Sequence, residues 1–319
     1  MKKSNSKNTI KCPICNSDKT FIKQRNINEN ILRTTKNYTY IGCKNCNTSS
    51  LFPFPEISEL QEHYQFIDNQ SDKSYIISFL SNEINLSTVQ YLESRQSPNK
   101  LASFWHNLNP EYPTLNMITG GKVLDLGSGS GSFCKLLKEK EIDFVGVEQS
   151  ENSVKIASLA GIDLIQDDIF SVSQRFPNSS FDYITLNHVI EHIVNPIDFL
   201  HSIRSLLVSP TGQIILALPN LNSISRFVFR SLWHGWDPPI HVHHYNSKSI
   251  EFILDKAGYK IVSIYTNTKP DGFSRSLNKL LDAKYRFLLL RILIFPFLWF
   301  LNLFGLGDEL IVIAKLKDD

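Results

Sequence analysis

Val123-Leu124-Asp125-Leu126-Gly127-Ser128-Gly129-Ser130-Gly131-Ser132-Phe133 is an apolar strand that runs straight into a loop with glycine at every second position. Glycine accepts positive φ and carries no Cβ, so such a loop turns sharply and lets backbone N–H groups at the start of the next helix, expected over Phe133–Lys140, face a polar ligand. The spacing restricts the ligand. A dinucleotide fingerprint counted from Gly127 needs its third glycine at position 132, which is Ser. The run is instead Asp-x-Gly-x-Gly-x-Gly. The next apolar strand, Asp143–Glu148, closes on an acid about 20 residues further on, where a carboxylate can bind two ribose hydroxyls.

Outward from this stretch, strand and helix patterns alternate. Strands are expected at Val123–Leu126, Asp143–Glu148, Asp163–Ile165, Tyr183–Leu186 and Gln213–Leu218, with helices between them, which predicts an α/β fold with a doubly wound, mostly parallel sheet. Ser247 to Gly258 reads as a helix with a serine start and a glycine stop, followed by a sixth strand at Tyr259–Tyr265. Glu309 to Lys315 alternates like a last strand.

DLGSGSG followed by VGVE resembles the S-adenosylmethionine site of the Rossmann-like (class I) methyltransferases. The resemblance implies a seven-stranded sheet whose last strand lies antiparallel between the fifth and sixth. It implies cofactor contacts at Asp125, Gly127, Ser128, Gly129 and Gly131, and at Glu148 and Gln149 after the second strand. Asp167, Asp168 and Ile169 would lie around the adenine, with Asp168 at the family position that accepts from its amino group. Asn187-His188-Val189-Ile190-Glu191-His192-Ile193-Val194-Asn195-Pro196 resembles a segment of the group that includes ubiquinone-pathway O-methyltransferases, and it places Asn187 beside the methionine end of the cofactor. Glu191 and His192 follow within a helical turn, where they can orient substrate, bind a divalent cation, or only anchor helix and loop.

Trp233-His234-Gly235-Trp236-Asp237-Pro238-Pro239-Ile240-His241-Val242-His243-His244-Tyr245 concentrates four histidines within eleven positions. Metal ligation is one reading, but the loop has no cysteine and its only carboxylate is Asp237. The loop also resembles one found in many methyltransferases of bacterial surface-polysaccharide clusters, and His241 and His244 match its two histidines. If the acceptor is an alcohol its proton must leave, and histidine, with a pKa near neutral, suits a general base. His241 and His244 are therefore the expected catalytic residues, with Glu191 and His192 behind them.

Four of the five cysteines form two C-x-x-C pairs, Cys12/Cys15 and Cys43/Cys46. Two such knuckles around a strand-prone stretch predict a zinc ribbon, and four thiolates with no open position predict a structural ion. So small a module has little core of its own, so metal binding should supply its fold. The expected organisation is a ribbon over residues 1–55, a helical linker or cap over 56–115 with helices at Ile57–Tyr64 and Ser74–Ser94, and a methyltransferase domain over 116–319. The polar, lysine-rich start suggests a cytoplasmic protein without a signal peptide. A net charge of +2 offers no general field for nucleic acid.

Residues 273–306 form an apolar helical insertion before the last strand. Its run Phe287–Leu306 approaches the length of a membrane span, but Pro296 divides it and the last strand must return to the sheet, so a crossing is excluded. Upstream, Arg275, Lys279, Asp282 and Arg286 share a helical face. A peripheral contact with the inner membrane leaflet is expected, with a protein contact as the alternative and an oligomer possible. The resemblance points to O-methylation of a sugar in a surface glycan or its lipid-linked precursor. C-methylation of a keto-sugar nucleotide and ribosomal RNA methylation are the alternatives, the last disfavoured because residues 11–46 lack a dense basic and aromatic face.

Overall fold

The computed structural model describes residues 10–29, 36–66, 112–268, 270–281 and 296–317. The expected helix at Ser74–Ser94 and residues 287–295 of the apolar run lie outside them. Two sheets organise the chain. The larger has seven strands in the order β10-β11-β8-β7-β4-β5-β6: β4 (Lys122–Leu126), β5 (Asp143–Glu148), β6 (Ile165–Gln166), β7 (Tyr183–Asn187), β8 (Gln213–Pro219), β10 (Tyr259–Asn267) and β11 (Glu309–Leu316).

Strands β4 to β8 are parallel. β11 lies antiparallel between β8 and β10, pairing Glu309 with Pro219 on one side and with Asn267 on the other. This is the expected fold, and it follows from residue type. β8 and β11 are buried over most of their length because the sheet is covered on both faces, so their sequences are nearly continuous apolar runs. The third strand is shorter than expected and begins later. Ile162 is drawn away into a cluster with Cys134 and Ala157, so pairing starts only at Val147 with Ile165.

The described helices are α1 (57–66), α2 (Ser132–Glu139), α3 (Glu151–Leu159), α4 (Val172–Arg175), α5 (Pro196–Ser202), α6 (Ile224–Phe229), α7 (Ser247–Lys256), α8 (Pro270–Leu281) and α9 (296–301). The start of α7 differs from expectation in one respect. Asn246 is the cap, accepting from Ser249 N–H while the Ser249 hydroxyl accepts from Asn246 N–H.

The smaller sheet has the order β1-β2-β3-β9: β1 (Thr20–Asn28), β2 (Asn37–Cys43), β3 (Ser49–Phe52) and β9 (His243–His244). Its fourth strand belongs to the histidine loop, since Ser49 pairs with His244 and Ser50 with His243. The ribbon therefore has more core than its own length provides. Ile27, Tyr38, Tyr40 and Leu51 pack in one buried cluster with Leu221, Phe229, Trp233 and Trp236. Packing against the larger domain thus stabilises this module independently of any metal.

Candidate functional site

The carboxyl edge of the larger sheet collects the chemistry. Gly127, Gly129 and Gly131 all have positive φ. A Cβ at Gly127 would meet Val189 Cγ2 at 2.7 Å, so glycine there seats the loop against the segment after β7. Gly129 has the opposite environment: nothing lies within 4 Å of a Cβ built on it, so the space above it is open to a ligand. Glu148 is half-buried beside the loop, accepting from Gly129 N–H at 2.8 Å and from Ser150 N–H at 2.9 Å. A carboxylate has about four acceptor positions, so each oxygen keeps a lone pair for a further donor. Gln149 is exposed next to it.

Asp125 is turned inward. It is buried and accepts from the Thr185 hydroxyl at 2.6 Å and from Asn187 Nδ2 at 3.4 Å. Burial raises its pKa to about 6, against hydrogen bonds from Thr185, Ser128, Cys134 and Asn187 that favour the ionised form. The residue ties β4 to β7 and holds Asn187 in place, while Asn187 Oδ1 accepts from the Thr114 hydroxyl at 2.9 Å. Beyond β6, Asp167 is occupied by Ser171, Asp168 N–H and Arg175. Asp168 is exposed, and one of its oxygens is engaged by Phe170 N–H, with half-buried Ile169 between.

The turn after β7 and the histidine loop meet here. Glu191, His192 and His241 each place one ligand-type atom within 4.8 Å of the others. His192 Nδ1 lies 3.0 Å from Ile240 O and 3.3 Å from the Tyr64 hydroxyl. His241 Nδ1 lies 2.9 Å from Gly235 O. Burial and the neighbouring His241 lower the His192 pKa to about 4. His244 sits elsewhere: buried, its Nε2 3.2 Å from Trp236 O, its ring edge-on to Tyr40 and Trp236. His243 is also internal, its Nδ1 2.9 Å from the Ser50 hydroxyl and its Nε2 3.1 Å from Val194 O. Of the loop's two matched histidines, the structure brings His241 to the sheet edge and uses His244 inside.

The four ribbon cysteines converge. Cys12 Sγ is 3.6 Å from Cys46 Sγ, and Cys15 Sγ is 3.6 Å from Cys43 Sγ, with all four sulfurs within 4.8 Å of one another. Each knuckle turns on a left-handed asparagine directly after its second cysteine, Asn16 and Asn47. Four thiolates around zinc at about 2.3 Å would be about 3.8 Å apart, so the sulfurs fit tetrahedral coordination with little adjustment.

A family model described as a methyltransferase domain matches residues 90–264, more than half of the chain. The chain belongs to this methyltransferase family. Relatives include a ubiquinone biosynthesis O-methyltransferase of Photorhabdus laumondii, 24% identical over 143 residues, which are 38% of this chain and 59% of that protein. Another, from Bradyrhizobium diazoefficiens, is 29% identical over 112 residues, 34% of this chain and 44% of that protein. The chain thus spans less than two thirds of the length of these relatives. Similar solved structures include a SAM-dependent methyltransferase of Archaeoglobus fulgidus, with TM-score 0.45, 20% identity and coverage of 62% of this chain and 86% of that one. Another, from Thermotoga maritima and described as a possible histamine N-methyltransferase, has TM-score 0.48, 16% identity and coverage of 76% and 99%.

In this methyltransferase, sequence reasoning passed over His188 and Glu309. His188 has φ 57° at the end of β7, with Nε2 2.7 Å from Glu309 Oε1 and Nδ1 3.3 Å from Glu191 Oε1. Desolvation opposes its charged form, but the two carboxylates outweigh that and raise its pKa to about 9. One signal was present. Glu309 is the one acid in a strand whose other buried residues are all apolar.

Proposed function

We propose that this chain transfers a methyl group from S-adenosylmethionine to a hydroxyl of a sugar in a surface glycan or its lipid-linked precursor, and that Cys12, Cys15, Cys43 and Cys46 hold a structural zinc ion. The observation that carries the reading is the shared sheet edge: an open glycine loop with Glu148 beside it, next to the cluster of Glu191, His192 and His241. The cofactor would supply a methyl group already activated on a sulfonium. The protein's part is to bind, align and exclude water. Glu148 suits the ribose hydroxyls, Gly127 to Gly131 with Ser128 line the turn, Gln149 flanks it, and Asp168 with Ile169 suits the adenine. Asp125 acts through Asn187 and Thr185. The acceptor hydroxyl would be activated at His241, where Nδ1 is anchored to a backbone carbonyl and Nε2 remains available. The O-methyltransferase relatives favour oxygen as the acceptor atom over carbon.

The same reading places the enzyme at a membrane surface. No helix among the described residues is long and apolar enough to cross a bilayer. Yet Phe297, Trp299, Phe300, Leu303 and Phe304 are exposed together on α9 and the turn after it, as are Leu280 and Leu281 at the end of α8. Contiguous exposed apolar side chains suit a lipid interface. Membranes from cells lacking the gene supply the test. Incubated with the purified protein and methyl-labelled cofactor, they should gain label in glycan or lipid-linked sugar, and the protein should sediment with them at low salt. Label appearing only in RNA or protein would overturn the acceptor class. Label in glycan while the protein stays in the supernatant would overturn the membrane contact alone.

A further inference from the structure

A cavity of about 310 Å³ opens where the ribbon meets the methyltransferase part of the chain. That volume lies at the lower end of the range for small organic ligands, about 300–1,000 Å³. The ribbon contributes Phe21, Lys23, Lys44 and Asn47 to its wall, while the segments after β8 and before α7 contribute Leu221 and Asn246. The wall is unbalanced in charge. It carries two lysines and, among the described residues, no aspartate or glutamate.

The surroundings increase this imbalance. Lys23 is half-buried, and burial together with the nearby Arg226 guanidinium of α6 pushes its ammonium pKa below the usual value. Arg226 is half-buried as well, with its Nε enclosed and without a hydrogen-bond partner, and burial lowers its pKa. None of Lys23, Lys44 and Arg226 is paired with a carboxylate among the described residues. Cations drawn part-way out of water beside one another cost free energy, which an anion entering the cavity would offset. The other groups on the wall suit the rest of such a ligand. Asn246 Oδ1 accepts from Ser249 N–H, which leaves the Asn246 amide hydrogens to donate. The Phe21 ring lies against Gly42, where an added Cβ would meet Phe21 Cζ at 2.6 Å, and it stays 41% exposed as a flat apolar face beside the lysines.

We propose that this cavity binds a small phosphorylated ligand, with Lys23 and Lys44 on the phosphate oxygens, Arg226 reinforcing the charge behind Lys23, and Asn246 and Phe21 against the remainder. Charge decides between phosphate and carboxylate. A carboxylate brings one negative charge, whereas a phosphate monoester brings about 1.5–2 at neutral pH and three acceptor oxygens, which matches two lysines with a third cation behind them. The site is separate from the sheet edge, since Glu148, Glu191 and His241 are not among its lining residues. It nevertheless adjoins the histidine loop: Ser49, which also lines it, pairs with His244, and Asn246 directly follows Tyr245. A ligand held here touches the ribbon and the methyltransferase part at once. The inference rests on neither the methyl donor nor the acceptor proposed above. A free sugar phosphate and the headgroup of an anionic lipid present the same chemistry, and the test separates them.

The full chain loaded with zinc is titrated with inorganic pyrophosphate in a calorimeter at fixed ionic strength, with zinc content measured before and after. One pyrophosphate per chain is expected. Lys23→Gln and Lys44→Gln should each weaken binding about tenfold or more, since each removes a charged donor. Arg25→Gln removes an exposed charge from the same strand outside the cavity and should leave affinity within about twofold. Unchanged zinc content and tryptophan fluorescence mark the native fold in each variant. Phosphatidylcholine vesicles containing phosphatidic acid then identify the source. Release of sedimented protein by pyrophosphate at constant ionic strength assigns the cavity to a lipid headgroup, whereas sedimentation that is absent or unaffected by pyrophosphate assigns it to a soluble ligand. No binding of pyrophosphate would overturn the site. Equal weakening in Lys23→Gln and Arg25→Gln would overturn it too, because general surface charge would then account for the binding.

Discussion

The glycine loop and the histidine loop occupy the same edge of the larger sheet, but different parts of the chain hold them in place. The glycine loop closes on its neighbours: Gly127 and Ser128 N–H both donate to Val147 O, Gly129 N–H donates to Glu148, and Asp125 is fixed by Thr185. All of these partners come from three adjacent strands and their ends. The histidine loop depends on residues some 200 positions away. Tyr40 of the ribbon stacks on Trp236 with ring centroids 4.8 Å apart and donates to the carbonyls of His241 at 2.6 Å and Trp236 at 3.1 Å. Leu51 N–H donates to Val242 O, and β9 completes the ribbon's sheet. The ribbon thereby holds the backbone of His241.

Disrupting the zinc site proposed for the ribbon should therefore disable one loop and spare the other. Cys43→Ser should abolish stoichiometric zinc and remove a binding free energy on the order of 10 kcal/mol from the ribbon's fold. Trp233 and Trp236, buried against that module, should then report solvent in their fluorescence. Affinity for S-adenosylmethionine should stay within a few-fold. The comparison breaks if zinc content is unchanged, or if cofactor binding and tryptophan environment are lost together.

The contrast also explains what could be read from the chain. The glycine loop, Glu148 and the cysteine pairs are local patterns, in which spacing alone fixes geometry, and strands such as β8 announce themselves because burial on both faces demands apolar runs. The alignment of Glu191 with His241 is set by the path of a loop between residues 220 and 245, and no periodicity encodes that path. His241 and His244 are equivalent by spacing and motif. They part company only because β9 pairs with β3 and draws His244 under Tyr40 and Trp236. The charge on His188 was hidden for a related reason, since Glu309 comes beside it only when β11 inserts antiparallel next to β8.

The complementary perturbation should spare the ribbon. Glu148→Ala removes an acceptor for Gly129 and Ser150 N–H and for any hydroxyl bound above them. A charged hydrogen-bond acceptor contributes about 1.5–3 kcal/mol, so cofactor binding should weaken by about 10- to 150-fold in calorimetry. Zinc content and tryptophan fluorescence should not change. Unaltered affinity would place the cofactor away from the glycine loop.

The smallest expected effect isolates the join between ribbon and histidine loop at a single oxygen. In Tyr40→Phe the buried ring and its stacking on Trp236 are kept, so neither cavity nor overpacking contributes, and the variant loses only one hydroxyl donor. The two carbonyls that faced it are not affected equally. Trp236 O still has His244 Nε2 at 3.2 Å, whereas His241 O loses its contact at 2.6 Å inside the protein. Leaving one buried carbonyl without its donor costs about 1–3 kcal/mol. Denaturant unfolding should therefore show a lower midpoint with an unchanged slope, while zinc content and cofactor affinity remain those of the parent. Because the lost donor held the backbone of His241, methyl transfer should fall by more than cofactor binding does. A change in stability within about 0.5 kcal/mol together with unaltered turnover would mean that the ribbon only abuts the loop, and the two loops would then be held alike.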